Sequence, residues 1–205
     1  MEYLEPFKDD ELTVTISELL VATADSSDPL LDDSVSQLLH AMRQRMEMDV
    51  VFVSEFVDGQ RMFRYVDAAP DAPDIQPGDS SPAEESVCQR VVQGRVPQLI
   101  HDLSAMPKEQ LPEIPFRIGA HLSTPIVLAD RSVYGTLCCF SAAPRPELVQ
   151  ADLDKLKMCA TLVARKVALG QARGFKEPPP DWKLEPKDRY ESPMWQQSSP
   201  RVGQR

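Results

Sequence analysis

The apolar residues between positions 31 and 46 recur at helical spacing, with polar and charged residues between them. A continuous apolar stripe of this kind predicts a helix of about four turns that buries one face. A weaker pattern of the same period predicts a helix over 9–22, and a third predicts a long helix over 147–171. The stripe of the first helix consists of Leu31, Val35, Leu38, Leu39, Met42 and Met46.

Two segments, 50–57 and 61–66, have the β-branched and aromatic composition of strands. The pair Asp58-Gly59 lies between them and readily adopts positive φ, so the sequence predicts a tight hairpin. A loop rich in Pro, Asp and Ser follows over 68–80.

A second predicted hairpin joins 121–128 to 132–141 through a turn at 129–131. Gly135 interrupts its second strand, which predicts a bulge or a close approach of another backbone. A shorter strand is predicted at 98–101, before a proline-containing loop.

Between the hairpins, Ser81-Pro82-Ala83-Glu84 has the form of a capping box with proline at the first helical position. It predicts a short helix over 82–93 that ends before Gly94. Val87, Val91 and Cys88 are expected on its buried face.

This order of elements predicts an α+β fold with an antiparallel sheet of about five to six strands. Residues 1–29 are expected to form a partly helical N-terminal extension, and 30–172 a single domain. Residues 173–205 are rich in Pro, Gln and Ser and lack apolar periodicity. Such a tail is expected to be disordered because it cannot bury enough apolar surface.

Composition and charge narrow the functional classes. Hydrophobic residues make up 42% and charged residues 26%, which is ordinary for a globular protein. The formal net charge of −10 argues against binding to nucleic acid or to an anionic membrane surface. No apolar run approaches the about 20 residues of a membrane span, and no signal peptide is visible. We therefore expect a cytoplasmic protein.

Four stretches of the chain resemble GAF domains of one bacterial branch. They are DVVFVSEF over 49–56, ESVCQRVVQGRVP over 85–97, IGAHLSTPI over 118–126 and YGTLCCFS over 134–141. The resemblance covers roughly 30–170. It implies terminal helices packed on one face of the sheet, and a small-molecule pocket roofed by the short helix and loops on the other face.

The resemblance also implies a regulatory role, often through dimerisation of the terminal helices. Domains of this branch commonly sit beside signalling output domains. A chain of 205 residues has too few for a kinase, cyclase or phosphodiesterase domain as well, so a separate output protein is the expected partner, and a homodimer the expected assembly.

Strand alternation selects the polar residues expected on the pocket side of the sheet. Alternation alone does not say which face holds the pocket, and an error of one residue would move a strand's residues to the other face. The candidate ligand-binding residues are Ser54, Arg64, Cys88, Ser123, Thr136 and Cys138.

The cysteines are expected to be reduced and buried. Cys138 and Cys139 are consecutive on a strand, so they should face opposite sides of the sheet. Cys88 could be an inert core residue, a redox sensor or an attachment point for a cofactor. GAF domains that hold a bilin covalently usually place a histidine beside the cysteine, and here the neighbour is Gln89.

His40, His101 and His121 lack metal-binding spacing with one another and with the cysteines, so no metal site is expected. Haem ligation by His101 or His121 is the alternative to a surface or satisfied interior histidine. No catalytic motif is recognisable, and neither is the cyclic-nucleotide signature of GAF domains. The cysteine pattern of the free methionine sulfoxide reductases does not map onto the chain.

Three hypotheses follow. The first is a non-enzymatic sensory module that binds a small molecule and signals through helix-mediated dimerisation. The second is a protein-interaction adaptor whose pocket is vestigial. The third is a thiol-based redox sensor that uses Cys88.

Overall fold

A computed structural model of the protein describes residues 31–174. The predicted N-terminal extension with its helix over 9–22, and nearly all of the predicted tail, lie outside the described residues. Within them, three α-helices are present: α1 (Leu31–Met46), α2 (Val87–Val92) and α3 (Gln150–Gly174). Over this part of the chain, no helix combines the length and the apolar character needed to span a membrane.

Six strands form one sheet in the spatial order β3-β2-β1-β6-β5-β4, and every neighbouring pair is antiparallel. The predicted α+β class with its antiparallel sheet is therefore confirmed. The strands are β1 (Val50–Val57), β2 (Gln60–Ala68), β3 (Ser80–Pro82), β4 (Leu99–Ile100), β5 (Ala120–Val127) and β6 (Val133–Ser141).

One face of the sheet packs against α1 and α3, as predicted for the terminal helices. Alternate residues of the central strands point to these helices, among them Val51 and Val53 on β1 and Leu137 and Cys139 on β6. The apolar stripe of α1 packs against these strand residues. Complete burial of one such side chain contributes about 1.5–3 kcal/mol to the free energy of folding. The buried stripe residues of α1 are Val35, Leu38, Leu39, Met42 and Met46.

The other face of the sheet carries aromatic residues. Phe52 on β1 contacts Phe63 on β2 edge to face, with ring centroids 4.9 Å apart. Phe140 on β6 stacks on Phe116, which comes from the loop before β5, at 5.5 Å. The covering elements on this side are α2 and irregular segments, which are shorter than α1 and α3. The face that carries the aromatic residues is therefore less completely covered than the face that packs against α1 and α3.

Both predicted hairpins are confirmed. The β1–β2 turn contains Asp58 and Gly59 at φ of 50° and 73°, the backbone that matches the twist of paired strands. The β5–β6 turn contains Arg131 at φ of 69°.

Gly135 lies where β6 passes close to the backbone of β1. A Cβ atom added there would lie 1.9 Å from the carbonyl oxygen of Ser54. The β5–β6 register also shifts beside it, between Ile126 and Val127. Both the predicted close approach and the predicted bulge are thus present, and the glycine is needed because no side chain fits.

We predict that Gly135→Ala lowers the free energy of unfolding by about 2–4 kcal/mol, because the strands must separate to admit the methyl group. Urea unfolding measures the change. The matched control is Gly170→Ala in α3, where an added Cβ meets nothing within 4 Å. This control should gain up to about 1 kcal/mol. Equal stability of the two variants would contradict the close approach.

Candidate ligand-binding site

A cavity of 210 Å³ lies on the aromatic face of the sheet. It is bounded by strand residues below, by the segment from Ser81 through α2 above, and by the loop over 113–118 at the side. The pocket implied by the family resemblance thus has a counterpart here. The lining residues are Phe52, Arg61, Phe63, Ile75, Ser81, Glu85, Ser86, Val87, Cys88, Glu113, Ile114, Pro115, Phe116, Ile118, His121 and Phe140.

The helix above the cavity begins later than the capping box predicted. Ser81 lies in β3, opposite Arg61, and strand pairing holds it extended, so this serine does not cap a helix. Ser86 is the N-cap instead: its hydroxyl accepts from the backbone N–H of Gln89 at 3.1 Å and donates to the carbonyl of Ala83 at 2.7 Å. Cys88 consequently lies in the first turn of α2 and is fully buried.

Arg61 is the cationic group of the cavity wall. Its guanidinium lies 4.6 Å above the ring of Phe63, and Nη2 donates to Ser81 Oγ at 2.9 Å. Nε is buried and has no hydrogen-bond partner within the described part of the chain. A guanidinium that keeps a donor unpaired within residues 31–174, in a mostly apolar wall, is suited to an anionic or acceptor group.

Four of the six candidate residues form a buried polar row on this face of the sheet. Ser54 Oγ and Thr136 Oγ1 share a hydrogen bond at 2.9 Å, and the Cys138 thiol donates to Thr136 at 3.2 Å. Ser123 Oγ and Cys138 Sγ lie 2.9 Å apart. The row satisfies its own hydrogen bonds, and its members are not among the residues that line the cavity. Of the six candidates, Cys88 alone lines it.

Cys88 connects the row to the cavity. Its Sγ lies 2.9 Å from Cys138 Sγ, 4.0 Å from His121 Nε2 and 3.9 Å from Arg61 Nη1. The Cys138 hydrogen bond, with help from His121 and Arg61, lowers the pKa of the Cys88 thiol. Burial and the neighbouring Cys88 sulfur raise the pKa of the Cys138 thiol. Cys88 is therefore the more acidic thiol of the pair.

His121 and Arg61 are the site residues that the sequence analysis missed. His121 precedes Ser123 by two positions on β5, so strand alternation already placed both on one face. The sequence alone leaves it as a surface or satisfied interior histidine, with haem ligation as the alternative. In the structure it is 2% exposed, and Nδ1 has no hydrogen-bond partner among the described residues.

The candidate Arg64 lies on the opposite face. A register shift between Val53 and Ser54 of β1 leaves Arg64 as an extra residue between Phe63 and Tyr65 on β2. Arg64 forms an ion pair with Glu55 and lines a cleft of 540 Å³ on the helix side. The bulge reverses the alternation, so it brings Arg61 instead of Arg64 to the cavity.

The remaining cysteines lie on the helix side of the sheet. Cys139 is in the core beneath α3, opposite Cys138, as the alternation predicted. Cys159 is on α3 in the same core. Burial raises the pKa of both thiols, that of Cys159 to about 12. These two cysteines are packing residues with little thiolate character.

A sequence model of the GAF domain family matches residues 30–168. The chain belongs to the GAF domain family. The resemblance identified from the sequence is therefore confirmed, and GAF domains are sensory and ligand-binding modules. A comparison with curated protein sequences found no match.

Solved structures of other GAF domains share the fold at low sequence identity. The GAF domain of an Acinetobacter phosphoenolpyruvate-protein phosphotransferase is 15% identical, with a TM-score of 0.63 over 85% of this chain and 99% of that one. A phycocyanobilin-bound GAF domain from a cyanobacterial phytochrome is 14% identical, with a TM-score of 0.62 over 80% and 98%.

Free methionine-R-sulfoxide reductase from Neisseria meningitidis, solved in complex with its substrate, is 13% identical, with a TM-score of 0.61 over 84% and 98%. The GAF fold is thus found in proteins as different as a phytochrome and a reductase. The fold alone does not assign a ligand.

We predict that a small alkylating reagent modifies Cys88 first in the reduced, chelator-treated protein, because Cys88 lines the cavity and has the lowered pKa. Cys139 and Cys159 should react last. Timed iodoacetamide labelling followed by peptide mass spectrometry measures the order. Labelling of Cys159 at the rate of Cys88 would contradict the arrangement.

Proposed function

We propose that this GAF domain is a non-enzymatic sensory module that binds a small organic molecule in the cavity beneath α2 and signals to a separate protein. The observation that carries the proposal is the cavity wall itself. It combines several aromatic rings with one guanidinium, Arg61, whose Nε has no hydrogen-bond partner among residues 31–174. Binding sites for small molecules characteristically join an apolar lining to a few oriented polar groups.

The wall also limits the chemistry of the ligand. At 210 Å³ the cavity is smaller than the about 300–1,000 Å³ of sites for drug-sized compounds. The rings of Phe52, Phe63 and Phe140 favour a flat apolar body. Arg61 favours a carboxylate, which guanidinium donors can bind with charge-assisted hydrogen bonds. The two acidic residues of the wall, Glu85 and Glu113, are exposed. We therefore propose a small aromatic or unsaturated carboxylate as the ligand class.

Signal transfer is proposed to run through the sheet to the terminal helices. The roof helix α2 packs on β5, and α3 packs on the opposite face of that strand. A ligand that shifts α2 would therefore displace β5 and change how α3 packs on the other side of that strand. The outer surfaces of α1 and α3 are the proposed dimer contact. A change at this contact on ligand binding would be recognised by a separate output protein.

We predict that benzoate raises the thermal stability of the protein more than its neutral isostere benzamide, because Arg61 forms a charge-assisted pair with the carboxylate and only a weaker hydrogen bond with the amide carbonyl. Arg61→Met should abolish the preference for benzoate. The matched control is Arg64→Met, three residues away on the same strand but on the other face, which should keep it. Thermal shift and isothermal titration calorimetry measure the effect.

Loss of the preference in both arginine variants, or in neither, would contradict a carboxylate site at Arg61. Native mass spectrometry of freshly purified protein is a second test, since a retained small molecule supports the sensory proposal. A protein that retains nothing and does not respond to small carboxylates would favour the adaptor with a vestigial pocket.

We predict a dimer with twice the chain mass of 22.9 kDa in sedimentation velocity. Met158 is 43% exposed on α3, so Met158→Glu should place a charge in the contact and weaken the dimer. Val127→Glu is the matched control, because Val127 is 47% exposed at the end of β5, outside the helices. A mass that stays at that of one chain across concentrations would remove the dimer from the proposal.

A further inference from the structure

Cys88, His121 and Cys138 place three metal-ligating atoms within 4.8 Å of one another. They come from three separate elements, α2, β5 and β6, and all three residues are buried. We propose that these side chains bind one divalent transition-metal ion of the zinc type. The proposal goes beyond ligand sensing and does not depend on it.

The donor set matches the chemistry of such an ion. Thiolate and imidazole donors favour zinc, whereas magnesium and calcium are bound mainly by oxygen donors. On binding, each thiol releases its proton to solvent, and the two negative sulfurs balance the dication. The resulting centre is neutral, so it can be buried without an uncompensated charge.

The spacing requires small adjustments. Tetrahedral coordination with zinc–sulfur bonds of about 2.3 Å and a zinc–nitrogen bond of about 2.0–2.1 Å places two sulfurs about 3.8 Å apart. The same geometry places sulfur and nitrogen about 3.6 Å apart. The Sγ atoms of Cys88 and Cys138 lie 2.9 Å apart, and Cys88 Sγ lies 4.0 Å from His121 Nε2. Both of these distances would change by less than about 1 Å on metal binding.

His121 provides an independent observation. Its ring is 98% buried, judged from its 2% exposure. Nε2 faces the sulfur of Cys88, and Nδ1 has no hydrogen-bond partner within the described residues. Buried polar groups are normally satisfied, and one that is not needs an explanation. Ligation of a metal through Nε2 gives that nitrogen a stronger partner than the thiol 4.0 Å away, and Nδ1 then carries the ring proton.

Three protein ligands leave a fourth position, which is the arrangement of zinc sites that bind water or another small ligand. Cys88 and His121 both line the cavity. The fourth position is therefore expected to face the cavity, where the donor atom of an incoming molecule can occupy it. In this way the metal would extend the set of polar groups on the wall beyond Arg61.

The same two sulfurs could instead form a disulfide when a peroxide oxidises them. In that reaction, the Cys88 thiolate would attack one peroxide oxygen and break the O–O bond, which gives a Cys88 sulfenic acid and hydroxide. The Cys138 sulfur would then attack the Cys88 sulfur and displace its hydroxyl, so that the two thiol protons and the peroxide leave as two waters. His121 is not a bond partner in that product, so the disulfide uses only two of the three clustered side chains. The three-way cluster therefore favours the metal, and the disulfide is an outcome that the test must separate.

The test uses the full chain, reduced and stripped of metal with a chelator, and titrates it with Co²⁺ alone. One Co²⁺ per chain should bind, with thiolate-to-cobalt charge-transfer absorption in the near ultraviolet and the visible bands of a tetrahedral site. Zn²⁺ should displace the cobalt and bleach both signals. Zn²⁺ should also protect Cys88 and Cys138 of the unmodified protein from alkylation, a readout that needs no variant.

Cys88→Ser, Cys138→Ser and His121→Gln should each weaken Co²⁺ binding at least about tenfold, and the two cysteine variants should each lose part of the charge-transfer intensity. Cys139→Ser is the matched control, since Cys139 is also fully buried and follows Cys138 directly, yet faces the helices. It should bind Co²⁺ with unchanged intensity.

Several results would overturn the proposal. One is the absence of stoichiometric Co²⁺ binding, and another is unchanged spectra in the three ligand variants. A third is a Cys88–Cys138 disulfide that forms with hydrogen peroxide at the same rate in saturating Zn²⁺, which would assign the pair to redox chemistry instead. Benzoate binding is measured separately in the metal-free protein, so failure of the carboxylate proposal remains distinguishable from failure of the metal proposal.

Discussion

The central strands of this GAF domain must bury side chains on both faces, and the rest of the architecture depends on how each face is covered. On one face, α1 and α3 cover the alternating apolar residues of β1 and β6. On the other, a six-residue helix and irregular segments provide less cover. The aromatic rings there do not fill the remaining space, so a cavity is left between α2 and the sheet.

A single bulge determines which arginine side chain lines that cavity. The extra residue in β2 beside Val53 and Ser54 turns Arg64 to the helix face, where Glu55 pairs with it. It leaves Arg61 and Phe63 together on the cavity face. Because successive strand side chains point to opposite faces, one inserted residue moves the side chains that follow it from each face of the strand to the other. The electrostatic character of the site is therefore a consequence of register.

The polar groups beneath α2 connect the cavity to the interior of the sheet. Ser54, Thr136, Ser123 and Cys138 satisfy one another, and Cys88 joins them to the wall. A buried network of this kind holds its members in place because breaking one contact leaves another group unpaired. Two of the strands that carry it, β5 and β6, also support α3 on the opposite face. Events at the cavity and the packing of α3 thus share the same strands.

The sequence by itself determined the class of fold, because apolar periodicity, turn residues and helix spacing are local properties. Both hairpins, the close approach at Gly135, the opposite orientations of Cys138 and Cys139, and the family were all readable from it. The details of the site were not, because a bulge places Arg64 on the face opposite the other candidates and strand pairing moves the helix N-cap from Ser81 to Ser86. Cys88, His121 and Cys138 lie far apart in sequence, so no local motif marks them. Their meeting follows from the pairing of β5 with β6 and from the seating of α2 on both, contacts that only the folded chain makes.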